Sequence, residues 1–350
     1  MVRRFAFAVP GDLATPTGGY AYDRRMIAEL GKLGWQIDVV DLGDGFPWPG
    51  GEMRKAALAR LNAVPAGRAI VVDGLALGVL PDAAVALGSR NPLIALVHHP
   101  LATESGLTAQ QSEDLRTSER AALAAARGVI VTSNATARQL VADYGVPRDC
   151  ITVARPGNDP VAMSQGSRDG TVHLLSVGAV VRRKGFDVLI AALAKLIDLP
   201  WRLTIAGDRG RDPKAAAQLD DDIARHKLCH RVAVLGAVTA QQLSQLYAAA
   251  DLFVLASRFE GYGMAYAEAI AHGLPVIGTT AGAIPETVPA GAGVLVAPDD
   301  VKTLTAALRE IIGNPKQRER LAESARKAAA QLPAWPESAK LFLRALEAFA

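Results

Sequence analysis

Short apolar runs rich in β-branched residues alternate with stretches of helical length along the whole chain, and the series occurs twice. In the first half the runs begin with FAFAV at 5–9 and end with CITVARP at 150–156. In the second half they begin with VHLLSVGA at 172–179 and end with GVLVA at 293–297. Continuous apolar strands separated by helices are typical of parallel sheets covered on both faces. The pattern therefore predicts an α/β protein with two doubly wound domains.

The sequence also indicates where the linker between the two series lies. Residues 157–171 lack hydrophobic periodicity and are rich in Gly, Ser and Asp, as expected of a linker. We therefore predict a first domain over 1–160 and a second over 161–334. The final segment, 335–350, has the spacing of an amphipathic helix, and we expect it to cross back onto the first domain.

Composition excludes several classes of protein. With 38 basic and 35 acidic residues the net charge is +3, too balanced for the dense cationic footprint of a nucleic-acid binder. Two distant cysteines, Cys150 and Cys229, exclude a disulfide scaffold and a cysteine zinc site. Apolar runs fall short of the ~20 residues of a membrane span, so we expect a cytoplasmic protein. A basic patch of Arg24, Arg25 and Lys32 would allow weak peripheral contact with a membrane.

Ligands of doubly wound sheets bind at the carboxyl ends of the strands. After the first strand, Gly18 and Gly19 open a helix whose amides would suit an anion or a sugar hydroxyl; a plain loop-to-helix turn is the alternative. Neither half contains the G-x-G-x-x-G, P-loop or G-x-S-x-G pattern. Dinucleotide-dependent oxidoreductases, P-loop hydrolases and serine hydrolases are therefore disfavoured.

The most informative segment is 256–288, in which a Gly-rich turn carrying Glu260 leads into a helix carrying Glu268. Backbone amides at Gly263 and Met264, together with the helix dipole, would hold a phosphate. Glu268 follows about 7–8 Å along the axis, roughly the distance from a diphosphate to a ribose diol. Glu260 would face a sugar on the other side of the phosphates. Alternatively, Glu268 serves the helix dipole and Glu260 is a solvated loop acid.

A positive partner for phosphate follows the first strand of the second domain. There Arg182, Arg183 and Lys184 precede a helix, and such a cluster can neutralise charge on a departing diphosphate. An exposed basic loop without a ligand is the alternative. The acidic run 220–222 superficially resembles a metal-binding motif but falls within a helical stretch, so we interpret it as a solvated face. We expect neither a metal site nor a cofactor.

Together these segments resemble a family 4 retaining glycosyltransferase of the GT-B fold. The resemblance covers nearly the whole chain, and its most specific element is a pair of glutamates with seven residues between them. It implies two Rossmann-like domains facing across a cleft, with a C-terminal helix crossing back to the first. The matching segments are GGY (18–20), VHHP (97–100), ERAALAAARGVIVTSNATARQL (119–140), PGND (156–159), RKGFDVLI (183–190) and EGYGMAYAEAIAHGLPVIGTTAGAIPE (260–286).

The resemblance implies roles for individual residues of the second domain. Glu268 would bind the ribose of a nucleotide-sugar donor, and Glu260 would bind hydroxyls of the donor sugar. Lys184 would contact the diphosphate. Gly263 and Met264 would offer backbone amides to it.

In the first domain, the resemblance places His98 near the donor sugar and the reacting centre. The adjacent His99 would point to the opposite face of a regular strand, so one of the pair can serve. Gly19 would bring the backbone close to the donor phosphate or the acceptor.

One position departs from the family pattern. An arginine usually follows the glycine at the end of the first strand of the second domain, and here that position is Ala179. Arg182 or Arg183 would have to supply the missing charge, or the diphosphate would be held less firmly. We expect Arg183 to do so because it lies next to Lys184.

The activity implied is transfer of a sugar from a nucleoside diphosphate to an acceptor hydroxyl, with retention of anomeric configuration and without a metal. A phosphorylase, a nucleotide-sugar epimerase and a non-catalytic sugar-nucleotide binding module are alternatives. UDP-, GDP- and ADP-sugars all remain candidate donors. Lipid-linked glycans, polysaccharides and small molecules remain candidate acceptors.

Overall fold

A computed structural model of the protein describes residues 3–104, 106–167 and 169–350. The chain divides into two compact units, one of Met1–Gly157 with Pro333–Ala350 and one of Asn158–Leu332. The sequence pattern predicted domain boundaries after residues 160 and 334. These lie three and two residues from the observed boundaries after Gly157 and Leu332. Within the described ranges, no helix has both the length and the apolar character that crossing a bilayer requires.

Unit 1 is a parallel sheet flanked by helices, with the strand order β2-β1-β3-β4-β5-β6. Its strands are β1 (Arg4–Val9), β2 (Gln36–Asp41), β3 (Ile70–Asp73), β4 (Leu93–Val97), β5 (Gly128–Val131) and β6 (Ile151–Val153). Its first helices are α1 (Gly18–Lys32), α2 (Gly51–Asn62), α3 (Gly74–Leu77), α4 (Pro81–Gly88), α5 (Ala109–Ala124) and α6 (Asn134–Tyr144). Every residue of β3 and β4 is buried, as expected for central strands covered on both faces.

Strand order in unit 1 reverses between β1 and β3, because β2 lies on one side of β1 and β3 on the other. At such a switch point the two following connections diverge and leave a crevice at the carboxyl ends of the strands. The N-terminus of α1 follows β1 at this edge, and Asp73 ends β3 there. His98 comes directly after β4, the next strand of the sheet.

Unit 2 repeats the architecture with the strand order β12-β11-β10-β7-β8-β9. Its strands are β7 (Val172–Val177), β8 (Trp201–Ala206), β9 (Val232–Val234), β10 (Leu252–Val254), β11 (Val276–Thr279) and β12 (Gly293–Val296). Its helices are α7 (Phe186–Leu193), α8 (Pro213–Arg225), α9 (Ala240–Ala249), α10 (Met264–Ala271), α11 (Ile284–Thr287), α12 (Val301–Gly313) and α13 (Pro315–Ala329). The switch point lies between β7 and β10, so the basic turn after β7 and the loop after β10 share one edge.

The last helix, α14 (Trp335–Phe349), belongs to unit 1, as the sequence predicted. Its apolar face carries Phe342, whose ring stacks on Phe7 of β1 at a centroid distance of 6.2 Å. Trp335 packs on Tyr22 of α1 at 6.0 Å. The helix therefore covers apolar surface that the first 157 residues leave exposed.

Candidate functional site

Glu260 is the centre of a buried ionic cluster in unit 2. Its Oε1 lies 2.7 Å from Nζ of Lys184 and accepts a 2.6 Å hydrogen bond from the Ser257 hydroxyl. Its Oε2 lies 3.3 Å from a guanidinium nitrogen of Arg183. Burial alone would raise the pKa of this carboxyl, but Lys184 and Arg183 outweigh it and lower the pKa to about 2. Glu260 is therefore ionised at neutral pH.

The turn that carries the two cations is fixed by glycines. Gly185 ends it in the left-handed region, at φ 67°, and an added Cβ would overlap the carbonyl oxygen of Ala256. An added Cβ at Gly178 would lie 2.9 Å from Cε of Lys184. Larger side chains would displace the turn or the lysine, so the sequence holds Lys184 against the end of the sheet.

Helix α10 begins immediately beyond this cluster. Gly263 is its N-cap and adopts φ 89°, where an added Cβ would lie 2.9 Å from the ring of Tyr266. Having no side chain, this cap leaves the approach to the first-turn amides unobstructed. Met264 is the first helical residue, so the positive end of the helix dipole begins beside the cations.

Glu268 lies further along α10 and is half-buried. Its Oε2 accepts a 2.9 Å hydrogen bond from the hydroxyl of Tyr247. Burial raises the pKa of the Glu268 carboxyl, against the lowering effects of Tyr247 and Lys184. The two glutamates of the motif thus occupy different environments, one paired with cations and one with a phenol.

His98 is the centre of a second cluster, in unit 1. Its Nε2 lies 3.2 Å from Oδ1 of Asp23 on α1 and 3.6 Å from Oδ2 of Asp73 at the end of β3. An added Cβ at Gly19 would lie 3.2 Å from Cδ2 of the imidazole. Gly19 therefore makes room for the His98 ring itself.

Burial and the two aspartates together set the charges in the His98 cluster. Burial alone would lower the pKa of the imidazole, but Asp23 and Asp73 outweigh it and raise the pKa. Burial, with help from Asp73, raises the pKa of Asp23 against the effect of His98. Each of the three side chains offers one potential metal-ligand atom within 4.8 Å of the others. An imidazolium between two carboxylates accounts for the same geometry, and a protonated imidazole is not a metal ligand.

Four other residues that were singled out from the sequence lie outside the Glu260 and His98 clusters. His99 contacts Glu104, with 2.6 Å between Nε2 and Oε1, rather than the His98 cluster. Arg182 is exposed, and its carbonyl accepts a hydrogen bond from Arg258. Gly18 is the first residue of α1. In the acidic run of α8, the prediction of a solvated face is wrong for Asp222, which is buried and bonded to Gln218 and Arg225.

Models of known families match the sequences of both units. The sequence model of Glycosyltransferase Family 4 matches residues 16–161, and that of Glycosyl transferases group 1 matches residues 162–328. The chain belongs to the group 1, family 4 glycosyltransferases. The family membership that the motifs indicated is thereby confirmed.

A curated relative agrees with this family. D-inositol 3-phosphate glycosyltransferase 1 of Catenulispora acidiphila is 33% identical over 218 residues, which is 56% of this chain and 51% of the relative. The chain thus matches about half the length of that protein.

Solved structures share the fold. Sucrose-phosphate synthase from Thermosynechococcus elongatus gives a TM-score of 0.82 at 21% identity, covering 99% of this chain and 100% of that one. Anabaena HepE in complex with UDP-glucose gives 0.74 at 19% identity, covering 98% and 99%. The predicted GT-B fold is therefore confirmed.

Sequence reasoning missed several residues of the two clusters, and also Tyr247, the partner of Glu268. Ser257 and Asp73 stand at or just after strand ends, a position that already marks ligand-binding edges and could have singled them out. Asp23 and Tyr247 lie within helices, where their spacing reads as ordinary amphipathicity. Their contacts depend on tertiary packing and have no local signal.

Proposed function

We propose that this chain transfers a sugar from a nucleoside diphosphate to an acceptor hydroxyl with retention of anomeric configuration. The observation that carries the proposal is the gathering of Lys184, Arg183 and Glu260 at the N-terminus of α10, the helix that also carries Glu268. The sugar-binding carboxylate of Glu260, the phosphate-binding amides at the start of α10 and the ribose-binding carboxylate of Glu268 would then follow one another along the loop after β10 and α10, with the two cations beside them.

Charge supports binding of a diphosphate at this cluster. Two cations and one carboxylate leave a net charge of +1, to which the start of α10 adds a partial positive charge of about half a unit. In buried surroundings such a centre attracts an anion more strongly than it would in water. Stabilisation of charge on the departing diphosphate acts mainly in the transition state and so raises turnover.

The proposed reaction exchanges one bond at the anomeric carbon. The bond to the β-phosphate oxygen breaks, the bond to the acceptor oxygen forms on the same face, and the acceptor proton leaves with the diphosphate. Ionised Glu260 would accept hydrogen bonds from donor-sugar hydroxyls. His98 as an imidazolium would donate hydrogen bonds rather than act as a base. We propose no role for a metal ion.

A UDP-sugar is the first donor to test, because HepE, which shares the fold, was solved with UDP-glucose. An inositol phosphate is the first acceptor to test, by analogy with the relative from Catenulispora acidiphila. Both assignments are proposals for this chain.

The test is a donor and acceptor screen on the purified protein. UDP-, GDP- and ADP-sugars are incubated with and without acceptors, inorganic phosphate and EDTA, and release of nucleoside diphosphate is measured. We expect acceptor-dependent release that resists EDTA, and a product whose anomeric configuration matches the donor by NMR. Phosphate-dependent cleavage would instead indicate a phosphorylase, and acceptor-independent isomerisation an epimerase.

Matched glutamate variants tie the activity to the site. Glu268→Gln should weaken donor binding, and Glu260→Gln should mainly lower turnover. Glu323→Gln, at an exposed ion pair with Lys327 on α13, is the control and should retain normal rates. Normal donor binding and turnover in both site variants would reject the assignment.

A further inference from the structure

We propose that Tyr247 is a positioning residue that orients the carboxylate of Glu268 for a ribose diol. The inference rests on the proposed function and extends it to a residue outside the two-glutamate motif. Tyr247 lies on α9 and Glu268 on α10, so the contact joins two helices of unit 2.

The phenol hydroxyl has one proton and two acceptors within reach, of which the Glu268 carboxylate is the nearer. Oη of Tyr247 lies 2.9 Å from Oε2 of Glu268 and 3.2 Å from the carbonyl oxygen of Ala265, one turn earlier on α10. The tyrosine is fully buried, and the glutamate is half-buried. A phenol held at this point fixes one carboxylate oxygen relative to the backbone of α10.

The phenol ring is itself clamped. The His272 ring stacks on Tyr247 at a centroid distance of 5.0 Å and an interplanar angle of 13°. Nδ1 of His272 lies 2.7 Å from the carbonyl oxygen of Ala162, so this nitrogen carries the proton and anchors the imidazole. Phe253 of β10 packs on Tyr247 at 6.1 Å. With both neighbours fixed, the hydroxyl is confined to the position from which it reaches Glu268.

When Oε2 of Glu268 is fixed by the phenol, the orientation of Oε1 is restricted as well. A carboxylate is planar, so once Oε2 is held, rotation of the group is restricted and the direction of Oε1 is set. Two vicinal hydroxyls of a ribose need a carboxylate in one defined plane to be accepted together. Pre-orientation removes the entropy that a mobile glutamate side chain would lose when the ligand binds.

A structural role for the phenol makes a different prediction. If the hydroxyl serves to satisfy a buried donor, its loss lowers stability and leaves the recognition of ribose unchanged. If it orients Glu268, its loss lowers the discrimination between a ribose and a deoxyribose. The two roles therefore separate in a binding measurement.

The experiment compares nucleotides that differ by one hydroxyl. Calorimetry measures binding of UDP, GDP and ADP to the full chain, each beside its 2′-deoxy and 3′-deoxy counterparts, and the ratio of Kd values is the ribose penalty. For the tightest-binding base, we expect a penalty of about 10-fold to 100-fold in the wild-type protein. Tyr247→Phe should weaken the ribonucleotide by roughly 10-fold, hardly affect the deoxynucleotides, and reduce the penalty to a few-fold.

Tyr266→Phe is the matched control, because Tyr266 is also buried in unit 2 but its hydroxyl donates to the backbone carbonyl of Leu255, at 2.6 Å. It should keep the wild-type penalty. His272→Leu keeps the phenol and removes the stacked ring, and it should lower the penalty to an intermediate value. This second variant carries the test if Tyr247→Phe does not fold.

Glu268→Gln separates failure of this inference from failure of the proposed function. If it abolishes the penalty while the folded Tyr247 and His272 variants keep it, the positioning role is overturned and the donor site stands. If Glu268→Gln keeps the wild-type penalty, or the wild-type protein has none, the ribose assignment fails and the positioning role fails with it.

Discussion

The ammonium group of Lys184 lies 2.7 Å from the carboxylate of Glu260, and the two side chains expose 13% and 8% of their surface. The lysine comes from the turn after β7 and the glutamate from the loop after β10, so the pair bridges the switch point of the sheet. The cation that we propose binds the diphosphate is thus oriented by a carboxylate. Little side-chain freedom then remains to be lost on binding.

The first prediction concerns stability in acid. Because the pKa of Glu260 is lowered to about 2, the carboxylate contributes stability that is complete above its unfolded value near 4.5 and is lost as the pH falls through 2. The shift corresponds to about 3 kcal/mol. Glu260→Gln should therefore flatten the pH dependence of urea unfolding between pH 7 and pH 2, relative to wild type. Parallel curves for the two proteins would contradict this.

The second prediction separates the two arginines of the basic turn. Arg183 contacts Glu260 and the carbonyl of Phe259, whereas Arg182 is exposed. Arg183→Ala should lower turnover by about 10-fold to 100-fold, the loss expected for one charge-assisted contact. Arg182→Ala should remain within about twofold of wild type. The measurement is the initial rate of nucleoside diphosphate release by each variant. Equal, near-normal rates in both variants would exclude Arg183 as the replacement for the family arginine.

The third prediction tests the close packing at the start of α1. Gly19→Ala would place a Cβ 3.2 Å from the His98 ring and push the imidazole from its position between the carboxylates. Turnover should fall by at least about tenfold. Gly31→Ala is the control, because an added Cβ there meets nothing within 4 Å and favours the helix. Comparable rates for the two variants would show that the position of His98 does not matter.

The fourth prediction concerns the contribution of His98 to stability at high pH. Its pKa is raised to about 10, so the imidazolium contributes stability that is present below the unfolded value near 6.5 and lost as the pH rises through 10. His98→Gln should remove part of the fall in Tm between pH 6.5 and 10, by about 4 °C or more. If the His98 variant follows the wild-type curve, the imidazole is not held as a cation.

Much of the architecture could be predicted from the sequence, because parallel strands and their helices leave a strong apolar pattern. The two doubly wound domains and the final helix were predicted in this way, and the family resemblance then implied the GT-B fold. Glu260 and Lys184 could be named because the family motif marks them and both follow strands. Tyr247 and Asp23 could not, since their contacts join elements distant in sequence: α9 to α10 for Tyr247, and α1 to the residue after β4 for Asp23. The burial of Asp222 was missed because Gln218 and Arg225 satisfy its charge locally.

The placement of α14 has a consequence for the order of biosynthesis. Residues that complete the core around Phe7 leave the ribosome only after the whole of unit 2. During synthesis, the first 157 residues keep that apolar surface uncovered while unit 2 emerges and folds. Unit 1 begins to be made before unit 2 but is completed after it.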